Sequence, residues 1–173
     1  MKKKVTLLFF CTTMLLLGLW WTFNFISEDG EFTKWGHASV GIENLEDRKP
    51  YYIGYPFKWD GIGKPRLEKM EFIKRDGTIV GKDDIEFSIQ PFIASTERIG
   101  ALDEDSVRED GLDDDFVRLK GYKVNDGFYL VLRVEFNGTN PINDINTLRI
   151  TYKKFGTTQF QNIHFDDGII TDE

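Results

Sequence analysis

Eight carboxylate side chains fall within thirteen residues just past the middle of the chain. They are Asp103, Glu104, Asp105, Glu109, Asp110, Asp113, Asp114 and Asp115. These charges repel one another, and a hard cation such as Ca²⁺, which takes oxygen ligands, would relieve that repulsion. The spacing does not match a calcium-binding helix–loop–helix loop. With Gly111 as the turn glycine, the first ligand position would be Ser106 and the third Arg108.

The acidic segment therefore has two interpretations. The favoured one places residues 103–105 at the N-terminus of one short helix, where the helix dipole is positive. The remaining acidic side chains then lie in a solvent-exposed loop. Ser106 and Glu109 have the spacing of a capping box, and Gly111 would end the helix. The alternative is a weak calcium site with five candidate ligands, Asp103, Asp105, Asp110, Asp113 and Asp115.

Aromatic residues form a second cluster at residues 51–59. The rings belong to Tyr51, Tyr52, Tyr55, Phe57 and Trp59, with Trp35 nearby. Rings at this density can stack on sugars or hold an aromatic side chain of a partner. Alternate residues of an extended chain share one side, and the favoured interpretation is that this side fills a core, with Pro56 marking an edge. The alternative is an exposed partner-binding face with four candidate residues, Tyr51, Tyr55, Phe57 and Trp59.

Few residues have the types and spacing that catalysis needs. His37 and His164 are the only histidines, and neither has a partner at i+3 or i+4 for a helical zinc pair. Paired aspartates at 83–84 and 166–167 suggest the acid and base of a glycosidase, but adjacent side chains on a strand point to opposite faces. No catalytic residue and no cofactor are predicted, and a secreted hydrolase is the least favoured alternative.

The side of the membrane on which these residues lie is set by an apolar run at 5–26, which is preceded by Lys2, Lys3 and Lys4. Twenty-two residues at about 1.5 Å each give a helix of roughly 33 Å, enough to cross a hydrocarbon core of about 30 Å. The lysines favour a cytoplasmic N-terminus, which predicts a single-pass protein of the cell membrane whose C-terminal domain is extracytoplasmic. An uncleaved anchor is favoured over a removed signal peptide, because the run is long and ends in bulky residues rather than small ones.

Composition limits the partners of the remaining chain. The lysines at 2–4 are the only charges in residues 1–26, so residues 27–173 carry 19 basic and 29 acidic side chains, a net charge of −10. An acidic surface disfavours nucleic acid. The only cysteine, Cys11, lies in the apolar run. An exported domain without disulfides favours a bacterial cell envelope.

Period-two patterns dominate the rest of the chain. Residues 128–136 alternate between an apolar and a mixed face, and residues 148–152 repeat the pattern. At 85–89 the same alternation predicts that Ile85, Phe87 and Ile89 point inward. The sequence thus predicts half-buried strands of an antiparallel sheet.

Turn residues separate these predicted strands. Asp-Gly pairs at 76–77 and 126–127 predict tight hairpins, and Phe-Gly at 155–156 predicts a looser one. About seven or eight short strands at regular spacing favour an antiparallel β-sandwich of immunoglobulin-like type with one short helix.

The whole arrangement resembles a group of small uncharacterised bacterial proteins that carry a lysine-led membrane anchor and a β-rich exported domain. The segments that carry the resemblance are 65–68, 129–133 and 148–152, within residues 50–165. They are strand patterns, so the resemblance implies location and fold but no activity.

These features predict three parts: an anchor at 1–26, a juxtamembrane linker at 27–34 and an extracytoplasmic domain at 35–173. The favoured function is a non-enzymatic binding or structural module of the envelope, with an envelope protein or wall component as partner. The alternatives are a calcium-stabilised adhesion or sensing module and, least favoured, the hydrolase.

Overall fold

The computed structural model describes residues 2–45, 49–95, 99–138, 141–165 and 168–171. Its helices are α1 (Lys2–Glu28), α2 (Ile42–Leu45) and α3 (Glu104–Glu109), with 3₁₀ turns at Leu112–Asp115 and Pro141–Asn143. Its strands are β1 (Glu31–Lys34), β2 (Val40–Gly41), β3 (Tyr51–Asp60), β4 (Arg66–Lys74), β5 (Phe87–Ala94), β6 (Ala101–Asp103), β7 (Val117–Arg118), β8 (Gly127–Phe136), β9 (Ile145–Lys154), β10 (Thr157–His164) and β11 (Ile170–Thr171).

The apolar run forms most of α1, which is long and apolar enough to cross a membrane. The helix ends where the N–H of Asp29 donates to the carbonyl of Phe25, and Gly30 follows with a φ of 104°, which favours glycine. The predicted linker at 27–34 differs from the structure. The helix includes residues 27–28, and residues 31–34 form β1 because Phe32, 2% exposed, fills the core.

The larger sheet has six strands in the order β1-β3-β8-β5-β7, with β6 also paired to β3. All its pairs are antiparallel. The alternation predicted for residues 128–136 is confirmed in β8, whose buried apolar side chains are Phe128, Leu130, Leu132, Val134 and Phe136 on one face. Val131 is buried on the opposite face as well, so both faces of this strand are covered at its centre.

The smaller sheet has the order β10-β9-β4 and is also antiparallel. The hairpin at 155–156 is tighter than predicted. Phe155 (φ 49°) and Gly156 (φ 86°) are both left-handed, and Lys154 pairs directly with Thr157, which makes a two-residue turn. The predicted turn at 76–77 is confirmed, with Gly77 at a φ of 86°.

The inner faces of the two sheets meet in one core. Phe32 and Trp59 of the larger sheet contact Tyr152 of the smaller one, with ring centroids 5.2 and 5.6 Å apart. The strands β2 and β11 form a separate, parallel two-stranded sheet. The prediction of a mainly β domain with antiparallel sheets behind one long apolar helix is thus confirmed, and the immunoglobulin-like type stays a prediction.

Two strand predictions are wrong. Ile85 lies outside β5 and is 86% exposed, because β5 begins at Phe87. The Asp-Gly pair at 126–127 does not close a hairpin between 122–124 and β8. Lys123 instead bridges to Arg66 at the edge of the smaller sheet, so this turn carries the chain from one sheet to the other.

Candidate functional site

The aromatic segment is core, as the favoured interpretation predicted. Tyr55, Phe57 and Trp59 are between 1% and 5% exposed, and Tyr51 is half-buried against the same core. The Tyr55 hydroxyl donates to the carbonyl of Ala38 over 2.7 Å, and burial strongly raises its pKa. An exposed partner-binding face made by these four residues is therefore wrong.

The acidic side chains serve the short helix rather than a shared site. Asp103 caps α3, since its carboxylate accepts from the N–H of Ser106 over 2.7 Å. The predicted cap at Ser106 is therefore three residues too late. Glu104 accepts from Arg133 of β8 over 3.2 Å and from Arg108 over 3.1 Å, which ties α3 to the sheet.

The remaining calcium candidates are divided between α3 and the 3₁₀ turn that follows it. Asp105 is 4.0 Å from Lys49, Asp110 is the C-cap of α3, and Asp113 and Asp115 lie in the following 3₁₀ turn. Among the described residues, no group of three or more histidine, cysteine, aspartate or glutamate side chains is arranged to hold a metal ion. The calcium interpretation therefore gains no support from the geometry.

The other chemistry-bearing candidates are dispersed. His164 ends β10, with its Nδ1 3.1 Å from the Thr147 hydroxyl, and His37 lies exposed between β1 and β2. Asp84 accepts from the buried Lys74 over 2.8 Å, while Asp83 is exposed. The pair at 166–167 lies outside the described residues. The described members of this set lie on different elements of the fold.

An interruption beside β3 creates a candidate site. On one side of β3, β6 pairs with residues 51–53 and β1 pairs with residues 57–60, so residues 54–56 have neither strand as a partner. Pro56 lies in this interval, where its missing N–H costs no ladder hydrogen bond. The expectation that Pro56 marks an edge holds for this interval alone, because β3 is otherwise internal to the sheet, and the N–H of Gly54 donates to the carbonyl of Gly100 over 2.8 Å.

We call the resulting depression the Trp35 groove. Its volume is about 530 Å³, within the range of ligand sites, and six of its residues are Trp35, Pro56, Lys58, Ala94, Asp126 and Tyr129. Its floor is formed by three residues in register across the larger sheet, since Tyr129 of β8 pairs with both Pro56 of β3 and Ala94 of β5. Directly paired residues share a face, so these three side chains line the groove together.

The backbone fixes the walls of the groove. The N–H of Trp35 donates to the carbonyl of Pro56 over 3.1 Å, which holds the chain at the rim while the indole remains 55% exposed. The Tyr129 hydroxyl donates to the carbonyl of Ile99. Gly127 allows β8 to start against β3, because a Cβ there would lie 2.4 Å from the Phe57 carbonyl oxygen. These contacts make the groove a preformed feature.

A small second core bounds the groove on the same outer face of the sheet. Its members are Tyr52, Ala94, Ile99, Val107, Leu112 and Val131. The helix α3 and the following turn supply Val107 and Leu112, so they cover the centre of the sheet and leave the Trp35 groove open beside them. The acidic segment thus acts as a structural cover.

The groove suits binding by stacking and hydrogen bonding. Trp35 offers an apolar ring, and Asp126, an exposed residue of the same groove, offers a carboxylate as hydrogen-bond acceptor. Lys58 forms an ion pair with Asp60 over 2.6 Å at the rim. Sequence reasoning placed Trp35 in the aromatic cluster and Tyr129 on the mixed face of its strand, but pairing between β3 and β8 was needed to bring them together.

No protein-family model, curated protein or solved structure matches this chain. The resemblance to small anchored envelope proteins therefore stays a prediction, and a proposal of function has to rest on the geometry of the groove.

Proposed function

We propose that this chain is a non-enzymatic binding module of a bacterial cell envelope, anchored by residues 5–26 with its β-domain outside the membrane. The exposed apolar surface of α1 and the lysines at 2–4 support this placement. We also propose that the two sheets form an immunoglobulin-like sandwich, since their inner faces share one core. The calcium and hydrolase alternatives have no favouring geometry among the described residues.

The proposed ligand of the Trp35 groove is a glycan of the cell wall. The single observation that carries this proposal is the half-exposed indole of Trp35 over a preformed groove, with the Asp126 carboxylate within the same walls. An aromatic face stacks on the apolar face of a sugar, and a carboxylate accepts hydrogen bonds from its hydroxyls. The net charge of −10 on residues 27–173 favours a neutral or basic ligand over an anionic polymer.

Cosedimentation with isolated cell wall tests the proposal. The full chain in detergent is mixed with wall material stripped of protein and of anionic polymer, and the bound fraction is measured after centrifugation. Trp35→Ala should weaken binding at least tenfold, since stacked aromatic anchors carry much of the energy of such contacts.

Ile85→Ala is the matched control, because Ile85 is also an exposed apolar residue but lies outside the groove. It should bind like the unaltered chain. Equal binding by the Trp35→Ala and Ile85→Ala variants, or no binding by the unaltered chain, would overturn the glycan proposal.

A further inference from the structure

The membrane helix and the β-domain are joined with almost no free chain. Only Asp29 and Gly30 separate α1 from β1. The Gln159 side chain of β10 donates to the carbonyl of Ser27 over 2.6 Å, and the N–H of Ile62 donates to the Asp29 carboxylate over 2.8 Å. The end of the helix is therefore held by one loop and one strand of the domain.

A buried cation strengthens this junction. Lys154 is 2% exposed, and its ammonium donates to the carbonyl of Asp29, just beyond the C-terminus of α1, where a positive charge is favoured. The same ammonium lies 5.2 Å from the ring centroid of Trp59, and burial lowers its pKa. Gln161 also bonds both the N–H and the carbonyl of Phe32, over 2.6 and 2.8 Å. The hairpin of β9 and β10 thus has a fixed position beside the helix.

Three exposed apolar side chains lie around this junction. Ile62 is next to the contact with Asp29, and Phe155 lies against the same loop, since a Cβ on Gly63 would be 2.6 Å from its ring. Phe160 is 65% exposed and lines a groove of about 580 Å³ together with Asn24 of α1. Ile62 and Phe160 belong to segments that bond the end of the helix, through the Ile62 N–H and through Gln159, and Phe155 packs on the Ile62 loop.

We propose that Ile62, Phe155 and Phe160 enter the outer interface of the bilayer that α1 crosses, giving the β-domain a second contact with lipid and a fixed orientation on the membrane. This inference depends on the proposed anchor. Continuity with the helix identifies the occupant, because the bilayer surface must meet the domain at the end where α1 leaves it.

The depth of the helix fits this contact. Asn24 is four residues beyond Trp20, or about 6 Å along the axis. Trp20 is of the type that marks a membrane interface, and each headgroup layer adds roughly 5–8 Å to the hydrocarbon core. Phe160 shares a groove with Asn24, and its neighbour Gln159 bonds Ser27, about 10 Å beyond Trp20, so Phe160 lies at the outer edge of the headgroup layer. The Arg149 guanidinium, 5.4 Å from the Phe160 ring, can reach phosphate groups there.

Site-specific fluorescence quenching tests the inference on the full chain in phosphatidylcholine vesicles. Phe160→Cys, made in a Cys11→Ser background, carries an environment-sensitive fluorophore. The quencher is phosphatidylcholine with a nitroxide on its acyl chain, close to the headgroup. Ile85→Cys is the control, because Ile85 is exposed near the far end of β4, about 25 Å from the junction.

The lipid quencher should act at least twofold more strongly on the label at 160 than on the label at 85, and a label at Ile62→Cys should behave like the one at 160. Equal quenching of all labels by aqueous iodide, in vesicles to which the protein floats, would overturn this inference alone. Failure of the unlabelled chain to float with the vesicles would overturn the anchor and this inference together.

Discussion

Replacing Phe57 with alanine removes a ring from the layer between the two sheets. Phe57 is 2% exposed and stacks on Phe128, with ring centroids 5.1 Å apart and an interplanar angle of 11°. Both strands are fixed by antiparallel pairing, since Phe57 pairs directly with Phe128 across β3 and β8. The sheets therefore cannot collapse fully into the space that the ring leaves.

Truncation of a buried phenylalanine to alanine lowers the free energy of unfolding by about 3–5 kcal/mol. For a domain of this size each kcal/mol corresponds to a change of about 2–4 °C in Tm, so Phe57→Ala should lower Tm by roughly 6–20 °C. Trp35→Ala is the contrasting variant, because its ring is 55% exposed at the groove rim. A surface change of this kind stays within about 0.5 kcal/mol.

The assay is thermal unfolding of the full chain in detergent micelles, followed by near-ultraviolet circular dichroism, which reports the packing of aromatic rings. The two variants are compared under identical conditions. A loss below about 1 kcal/mol for Phe57→Ala, or an equal loss for Trp35→Ala, would refute the assignment of residues 51–59 to the core and of Trp35 to the surface.

Three further outcomes are expected. Burial acts to raise the pKa of Asp84, but hydrogen bonds from Lys74 and from two backbone N–H groups hold it below its usual value. The stability that Asp84 contributes is therefore present above a pH of about 4 and lost as pH falls through the folded-state pKa. In urea unfolding at a series of pH values, the free energy of unfolding of Asp84→Asn should fall less steeply with acid than that of the unaltered chain. Asp144, 1% exposed, accepts from the N–H groups of residues 169–170 over 2.6 and 2.8 Å, and Asp144→Ala should speed hydrogen exchange there more than tenfold; unchanged exchange would contradict its role in holding β11. Millimolar calcium should leave Tm equal to that in chelator, because the acids at 103–115 are divided among a cap, ion pairs and a turn, and a rise in Tm would restore the calcium interpretation.

Local patterns in the sequence predicted much of the strand content. The alternation at 128–136 and the turns at 76–77 and 155–156 depend on neighbouring residues, and each is present in the structure. The turn at 126–127 was misassigned because an Asp-Gly pair indicates a reversal without indicating which sheet receives the chain. The strand at 31–34 has a single core residue, Phe32, and its pairing with β3 supplies the structure that its own pattern does not predict.

The candidate site could be predicted only in part. Trp35 and Trp59 belong to the same aromatic cluster, yet one is exposed and the other buried, because β1 covers β3 at Trp59 and ends before Trp35. The groove itself depends on an interval between β1 and β6 along β3, which is a property of long-range pairing. No local periodicity contains that information.

Protease treatment of intact protoplasts tests the central claim most directly, which is that the β-domain is anchored outside the membrane. An epitope tag is fused after Glu173 in the full chain, and a cytoplasmic protein serves as the control for membrane integrity. The tag should be removed from intact protoplasts while the cytoplasmic control remains whole. A tag that survives until lysis would place the domain inside and contradict the account.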